Sequence, residues 1–466
     1  MLIANATLAD GRRRDVRIEG KRIAAVERRL SAGGDETTID AAGKLLLPGM
    51  IDAHVHFREP GFPEKETWAS GSRAAAAGGV TTVVDQPNTQ PPTVTGEAFD
   101  EKAELAADSV VDFGINGGVT PAWQPNELLD RPLFALGEVF LADSTGEMGI
   151  DADLFADAVT AATERGVPVT VHAEDAARFD ASARERSEAQ RVVRDGEAVS
   201  SSREAQSASR TTSESASGQR PRANDPDAWS AFRTPKAEHA AVERACEVGR
   251  DAGAQLHIAH TSTPKGIDAA NSGGMTCEVT PHHLLLSRDD YDDIGTFGRM
   301  NPPLRSEQRR EGVYERVADG TVDLVATDHA PHTREEKDAG IWDAPSGVPG
   351  VETALPLLLA AARAGRLDHE RVRDLTAANP AAVFDLPRKG RVEAGKDADL
   401  VLVDPDATRE IRGEELATDC GWTPFEGHEG VFPEWTMVRG ETVYRRTGSD
   451  EKRFGAAVGT NVRSRS

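Results

Sequence analysis

The chain has little cysteine: Cys246, Cys277 and Cys420 are widely spaced among 466 residues and form no Cys-x-x-Cys pair. That excludes an even disulfide framework and predicts a reducing, cytoplasmic setting. Long apolar runs are missing too. No stretch approaches the length of a membrane span, and the N-terminus lacks the basic start and apolar core of a signal peptide. These absences predict a soluble intracellular protein with no membrane partner. An excess of positive charge is also lacking: the formal net charge is −24 and the pI is near 5.0, which argues against a nucleic-acid or anionic-membrane surface. No glycine fingerprint for a nucleotide follows the first strand of the alternating region.

What is present is acid, and it is dispersed. Arginine far outnumbers lysine among the basic residues. This pattern suits a protein kept soluble at high salt, where charge repulsion is screened, and predicts a halophilic source.

Both ends of the chain read as β-structure. Residues 1–47 give short strands over Met1–Leu8, Arg14–Glu19, Ile23–Glu27 and Thr37–Asp40, with turns at Asp10-Gly11 and Glu19-Gly20. Residues 389–450 repeat the pattern, with an apolar strand ending at Leu400–Val403 and a pair around Arg439-Gly440. One accessory β domain assembled from both ends is expected, followed by a flexible tail over 451–466. Between them, over 48–388, strand and helix alternate. The strand candidates are Leu45–Ile51, Val80–Val84, Phe113–Val119, Ala135–Leu141, Val167–Val171, Gln255–Ile258, Met275–Val279 and Val322–Ala326. Helical stretches such as Ala69–Ala77, Leu154–Glu164 and Ala237–Ala252 separate several of them. About eight such units predict an α/β protein of the (β/α)8 TIM-barrel class, with reactive groups at the C-terminal strand ends. A doubly wound open sheet is the competing architecture. Residues 181–222, rich in Ser, Arg, Glu, Ala and Gln, break the pattern as a low-complexity insertion that cannot bury enough apolar surface to offset ordering entropy, so a mobile or weakly helical segment is expected.

The predicted strand ends carry one chemistry. His54 and His56 share a face, because alternate side chains of a strand point the same way. Later ends bring Glu138, then His172 and Glu174, then His257 and His260, then Asp328-His329 and His332. Several imidazoles and carboxylates at successive strand ends suit a site for two divalent ions. Spacing alone does not choose between His257 and His260.

These residues resemble the dihydroorotases of the amidohydrolase superfamily over nearly everything outside the insertion. The anchors are His54-Val55-His56-Phe57-Arg58-Glu59-Pro60-Gly61, Gln86-Pro87-Asn88-Thr89, His260-Thr261-Ser262-Thr263, Glu278-Val279-Thr280-Pro281-His282-His283, Met300-Asn301-Pro302-Pro303-Leu304-Arg305 and Ala326-Thr327-Asp328-His329-Ala330-Pro331-His332. The resemblance implies His54, His56 and Asp328 on a first metal and His172 and His260 on a second, the pair being zinc. It implies substrate contacts from His56, Phe57, Arg58, Asn88, Asn301, His332, Ser346 and Gly347, with Arg58 taking a carboxylate in its planar fork. The implied reaction is the reversible ring closure of N-carbamoyl-L-aspartate to (S)-dihydroorotate and water in pyrimidine (UMP) biosynthesis. A metal-activated hydroxide attacks in the hydrolytic direction, and Asp328 serves as general base, then acid.

One position departs from the pattern. Many relatives carry a carbamylated lysine between the metals on the fourth strand, where this chain has Glu138, shorter by about three atoms. The expectation is a bridging Glu138, with Asp143 or a single-metal site as alternatives. Arg58 also fits a structural ion pair, Asn88 and Asn301 fit turns beside prolines, and His332 fits an orienter of a ligand. Allantoinase or another cyclic-amide hydrolase is the nearest alternative activity, and an inactive barrel acting as a scaffold for a pathway enzyme is the alternative class. The expected partner is a small-molecule substrate, with a homo-oligomer or a pathway-enzyme partner as the open macromolecular options.

Overall fold

In the computed structural model, residues 1–143, 148–187, 226–446 and 451–464 are described. Eight strands run in the alternating region: β1 (Met50–Val55), β2 (Val80–Asp85), β3 (Asp112–Ile115), β4 (Leu136–Phe140), β5 (Val169–His172), β6 (Leu256–Ile258), β7 (Thr276–Val279) and β8 (Leu324–Val325). They are buried nearly throughout, as strands covered on both faces must be. All pair in parallel with their sequence neighbours, β1 to β3 in one sheet and β4 to β8 in another. Single parallel bridges span both seams, Gly117 to Leu136 and Val55 to His329. At the seams Phe134 N–H donates to Ile115 O at 2.9 Å and His56 N–H donates to His329 O at 2.7 Å. Pairing therefore passes from each strand to the next and returns to β1.

The helices between these strands start where polar caps dictate. Thr67 caps Trp68–Ala77, Asp151 caps Ala152–Glu164 and Thr234 caps Pro235–Ala252, each accepting a backbone N–H that the helix leaves unpaired. Their inner faces, among them Phe155, Val159, Val242 and Cys246, join the main apolar core. No helix among the described residues is long and apolar enough to cross a membrane. All three cysteines are free and buried.

A nine-stranded sheet draws on both chain ends. Its order is Lys452–Phe454, Glu441–Arg446, Pro433–Val438, Leu400–Val403, Leu45–Pro48, Leu2–Thr7, Arg13–Glu19 and Arg22–Glu27, with Thr38–Asp40 paired beside Leu2–Thr7. Ile3, Val16, Leu46, Leu402 and Trp435 form its own core. Buried Lys389 ties the sheet to the ring, its Nζ lying 2.8 Å from Asp112 at the start of β3 and 2.6 Å from Asp399.

Two expectations change. Leu45–Ile51 is not one strand: Leu45–Pro48 belongs to the nine-stranded sheet, and β1 begins at Met50. Gly49 lies at the break, where the backbone passes so close to Thr81 that a Cβ would sit 2.1 Å from its Oγ1. The flexible tail expected over 451–466 is instead docked for most of its length, because its backbone finds partners. Lys452–Phe454 pairs with Glu441–Arg446, and Phe113 N–H donates to Thr460 O at 3.1 Å. Of the expected insertion, residues 181–187 are helical and 188–222 lie outside the described residues.

Candidate active site

The C-terminal ends of the ring strands converge on a small cleft. It is lined by His56, Arg58, Asn88, Glu138, His172, His260, Asn301, Asp328, Ser346 and Gly347, together with Phe140 and Ala330. His54 lies just beneath. Its ring centroid is 5.3 Å from those of both His56 and His260, and His172 and His260 are 4.7 Å apart. Three of the residues here hold left-handed backbone: Arg58 at φ 66°, Asp328 at φ 48° and His260 at φ 30°. Such conformations cost energy in L-residues and persist where packing imposes them, as at functional sites.

Two ligand groups emerge from the geometry. In the first, His54, His56 and Asp328 can each present one atom to a shared point. His56 Nε2 is 3.0 Å from Asp328 Oδ1, while His56 Nδ1 is 2.6 Å from Asn88 Oδ1. The Asn88 carbonyl accepts from Nδ1–H and so turns Nε2 toward Asp328. In the second, His54, Glu138 and His260 do the same. Glu138 Oε1 lies 2.5 Å from His260 Nε2 and 2.9 Å from His172 Nδ1, and Oε2 lies 3.4 Å from His54 Nε2. Oε1 of Glu138 thus faces His260 and His172, and Oε2 faces His54, which the two groups share. Asp143 lies outside the cleft lining, and its side chain accepts from Gly149 N–H.

The electrostatics favour a cation. Burial pushes the Glu138 carboxyl up, but His260, His54 and His172 outweigh it and hold it well below the usual range. Burial likewise pushes Asp328 up, while the His56 hydrogen bond and the neighbouring imidazoles pull it further down. Conversely, burial lowers His172, yet Glu138 and Glu174 raise it to about 9. Buried carboxylates and imidazoles that stabilise positive charge in this way are the donor set of a divalent-ion site. His54 Nε2 sharpens the fit: it is buried, has no hydrogen-bond partner among the described residues, and points between Glu138 and Asp328.

Several of the supporting residues were legible only as motif letters. Glu278 takes His54 Nδ1 at 2.7 Å and His257 Nε2 at 3.1 Å, and accepts His260 N–H at 3.2 Å. His257 therefore lies in the support, bonded also to Thr276, and His260 is the residue that reaches the ligand group. Glu174 takes His172 Nε2 at 3.1 Å and is itself held by Arg233 at 2.6 Å. The i, i+2 spacing of His172 and Glu174 signalled a shared face, but nothing in the sequence marked Arg233. Lys102, wholly buried, bonds Asp85 at 2.6 Å, and Asp85 accepts Phe57 N–H at 2.7 Å.

The expected substrate residues divide. Arg58 is buried, and desolvation lowers it to about 10, so it remains a cation at neutral pH. Its Nε donates to Pro331 O at 3.1 Å, and its Nη2 lies 3.0 Å from His332 Nε2. His332 Nε2 is also 3.1 Å from Ser346 O, so either tautomer satisfies only one of these contacts. Gly347 lines the cleft, but its N–H is bonded to Arg299 O at 3.0 Å. Phe57 departs from expectation. Its side chain is fully buried away from the cleft, edge-on to Trp68 and His329 at 5.3 and 5.9 Å, because Gly71 opposite has no side chain to exclude it.

Comparison with known proteins agrees with this geometry. The pattern of a family described as Dihydro-orotase-like matches residues 43–212, and that of the Amidohydrolase family matches residues 227–443. A dihydroorotase of Halobacterium salinarum is 63% identical over 464 residues, covering 99% of each chain. An allantoinase of Rubrobacter xylanophilus is 38% identical over 427 residues, covering 88% of this chain and 87% of its own. Among solved structures, an L-hydantoinase (dihydropyrimidinase) from Arthrobacter aurescens superposes with a TM-score of 0.85 at 27% identity, covering 99% of this chain and 98% of its own. With its strand-end histidines and acids in place and this likeness running the length of the chain, the molecule belongs to the dihydroorotase-like members of the amidohydrolase family.

Proposed function

We propose that the chain catalyses the reversible cyclisation of N-carbamoyl-L-aspartate to (S)-dihydroorotate with loss of water, a step of pyrimidine biosynthesis. The observation that carries this is one cleft joining the two ligand groups to Arg58, Asn88 and Asn301, in a chain 63% identical to a dihydroorotase along its whole length. We read the two parallel sheets as one closed (β/α)8 barrel over about 48–388, and the nine-stranded sheet as an accessory domain of residues 1–47 and 389–454.

His54, His56 and Asp328 are placed to hold one divalent ion, and His172 and His260 a second, with Glu138 between them. Zinc suits this histidine and carboxylate set. When bound, the ions supply a nucleophilic hydroxide near neutral pH and polarise the amide carbonyl. The rest falls to the chain's own residues. Arg58 pairs with the substrate carboxylate, and burial strengthens that pairing. Asn88 and Asn301 take ring amide groups, and His332 and the Ser346–Gly347 backbone close the far wall. Asp328 accepts a proton in the hydrolytic direction and returns it to the departing ring nitrogen. The His56 hydrogen bond and the neighbouring imidazoles hold its carboxyl below the usual range despite burial.

The test is metal content together with turnover of dihydroorotate, allantoin and hydantoins at molar salt. Turnover of dihydroorotate with two ions per chain is the expected result. Preferential turnover of allantoin would move the chain to its 38% identical relative's activity. Both sites loaded without turnover would favour the scaffold reading. A cytoplasmic location and a homo-oligomer or pathway-enzyme complex complete the proposal, and sizing at high salt tests the latter.

A further inference from the structure

Lys337 is wholly buried and lies outside the cleft lining. It ends the short helix Arg334–Lys337, which Thr333 caps one residue after His332. A buried amine needs partners, because leaving its charge or its N–H bonds unmet is costly. Its Nζ donates to three main-chain carbonyls, at 2.9 Å to Arg299 O, 3.0 Å to Pro345 O and 3.0 Å to Gly347 O. Burial, with Arg299 and Arg58 nearby, pushes its pKa well below the usual lysine range. The three acceptors work the other way, since only the protonated form has three N–H bonds to give. The Trp422 ring lies 5.7 Å from Nζ, a further cation contact.

These partners belong to the far wall of the cleft. Arg299 O also accepts Gly347 N–H at 3.0 Å, so one oxygen ties the amine to the Ser346–Gly347 turn. Pro345 O and Gly347 O both turn to Lys337, while Ser346 O between them lies 3.1 Å from His332 Nε2. His332 is held from its other side as well, its carbonyl accepting Trp422 Nε1–H at 2.7 Å. Thr296 Oγ1 donates to Lys337 O at 2.6 Å. Three chain segments, around 296–299, 332–337 and 345–347, thus meet at one side chain that touches no cleft atom itself.

We propose that Lys337 is a positioning residue for substrate binding: its amine gathers the carbonyls of Arg299, Pro345 and Gly347, and so holds the Ser346 carbonyl against His332. Without it the turn loses the bonds that fix which carbonyls face inward, and the His332 ring loses a fixed neighbour. This rests on the reading of His332 and the Ser346–Gly347 turn as the far wall for substrate, and it deepens that reading.

The experiment is a double-mutant cycle on the metal-loaded full chain at molar salt, with dihydroorotate as substrate and metal content and circular dichroism measured alongside. Lys337→Met keeps length and bulk and removes every N–H. Lys337→Gln keeps two N–H bonds on a shorter arm, so a folding failure of the first leaves the second to decide. The expected result for Lys337→Met is a KM raised about tenfold with kcat within about twofold, and for Lys337→Gln a smaller rise. Metal content stays unchanged, and adding Lys337→Met to His332→Ala raises KM no further. No dihydroorotate turnover by the unaltered chain overturns the proposed function, and the inference with it. An unchanged KM in His332→Ala overturns the reading of the wall, with the same consequence. A raised KM in His332→Ala with none in the Lys337 variants overturns the inference alone. Additive effects, a fall in kcat with lost metal, or failure of both Lys337 variants to fold also overturn it, because Lys337 then acts by another route.

Discussion

The carboxylate of Glu278 reaches His54 with one oxygen, at 2.7 Å from Nδ1, and His257 with the other, at 3.1 Å from Nε2. It fixes the His54 tautomer, so that Nε2 is the atom left for an ion. Glu278→Gln, which keeps the shape and removes the charge, is expected to weaken metal binding by about 10- to 100-fold. Chelator competition measures this. Unchanged affinity would mean that His54 is oriented by packing alone.

Glu138 stands between the two ligand groups. Elemental analysis of Glu138→Ala is expected to show fewer than two ions per chain, since His260 and the shared His54 lose the carboxylate that faces them. Full occupancy would remove Glu138 from the bridge.

Asp328→Asn retains an oxygen at the first group but no longer accepts a proton. Turnover is expected to fall by about 10²- to 10⁴-fold with metal retained. Near-normal turnover would assign the proton transfer elsewhere.

Arg58→Met removes the buried fork that faces the cleft. A charge-assisted pair of this kind stabilises by about 1.5–3 kcal/mol, so KM is expected to rise about 10- to 100-fold with metal content unchanged. Arg58→Lys should recover little, because a point charge lacks the two-pronged geometry. If Arg58→Met leaves KM alone, the residue is structural.

The net charge of −24 should make the fold salt-dependent. Thermal unfolding is expected to move to higher temperature from dilute buffer to molar salt. A midpoint indifferent to salt would count against a halophilic adaptation.

Much of this was written into local patterns. The His54–His56 spacing, Glu138, His172, His260 and Asp328 fell at strand ends because strand period and apolar runs are short-range signals. The supporting shell was harder to read. Arg233 and Lys337 act on residues distant in sequence, and neither sits in a periodic context that sequence alone interprets. A motif letter does not say which way the Phe57 side chain turns; the space left by Gly71 lets it pack away from the cleft. The junction at Gly49 was hidden for a related reason. Leu45–Leu47 and Met50–Ile51 are apolar on both sides of Pro48-Gly49, so the two runs read as one strand although that pair is a break signal.

That junction bears on how the molecule assembles. Pro48 pairs with Leu400, and Leu45 with Val403, while β1 starts two residues after Pro48. Synthesis delivers Leu45–Pro48 early and its partner only after every ring strand has emerged. The central pairing of the nine-stranded sheet therefore closes one of the long loops of the chain, the kind of non-local contact that forms slowly. Until it forms, one edge of Leu45–Pro48 stays open, directly upstream of the first metal-ligand histidines.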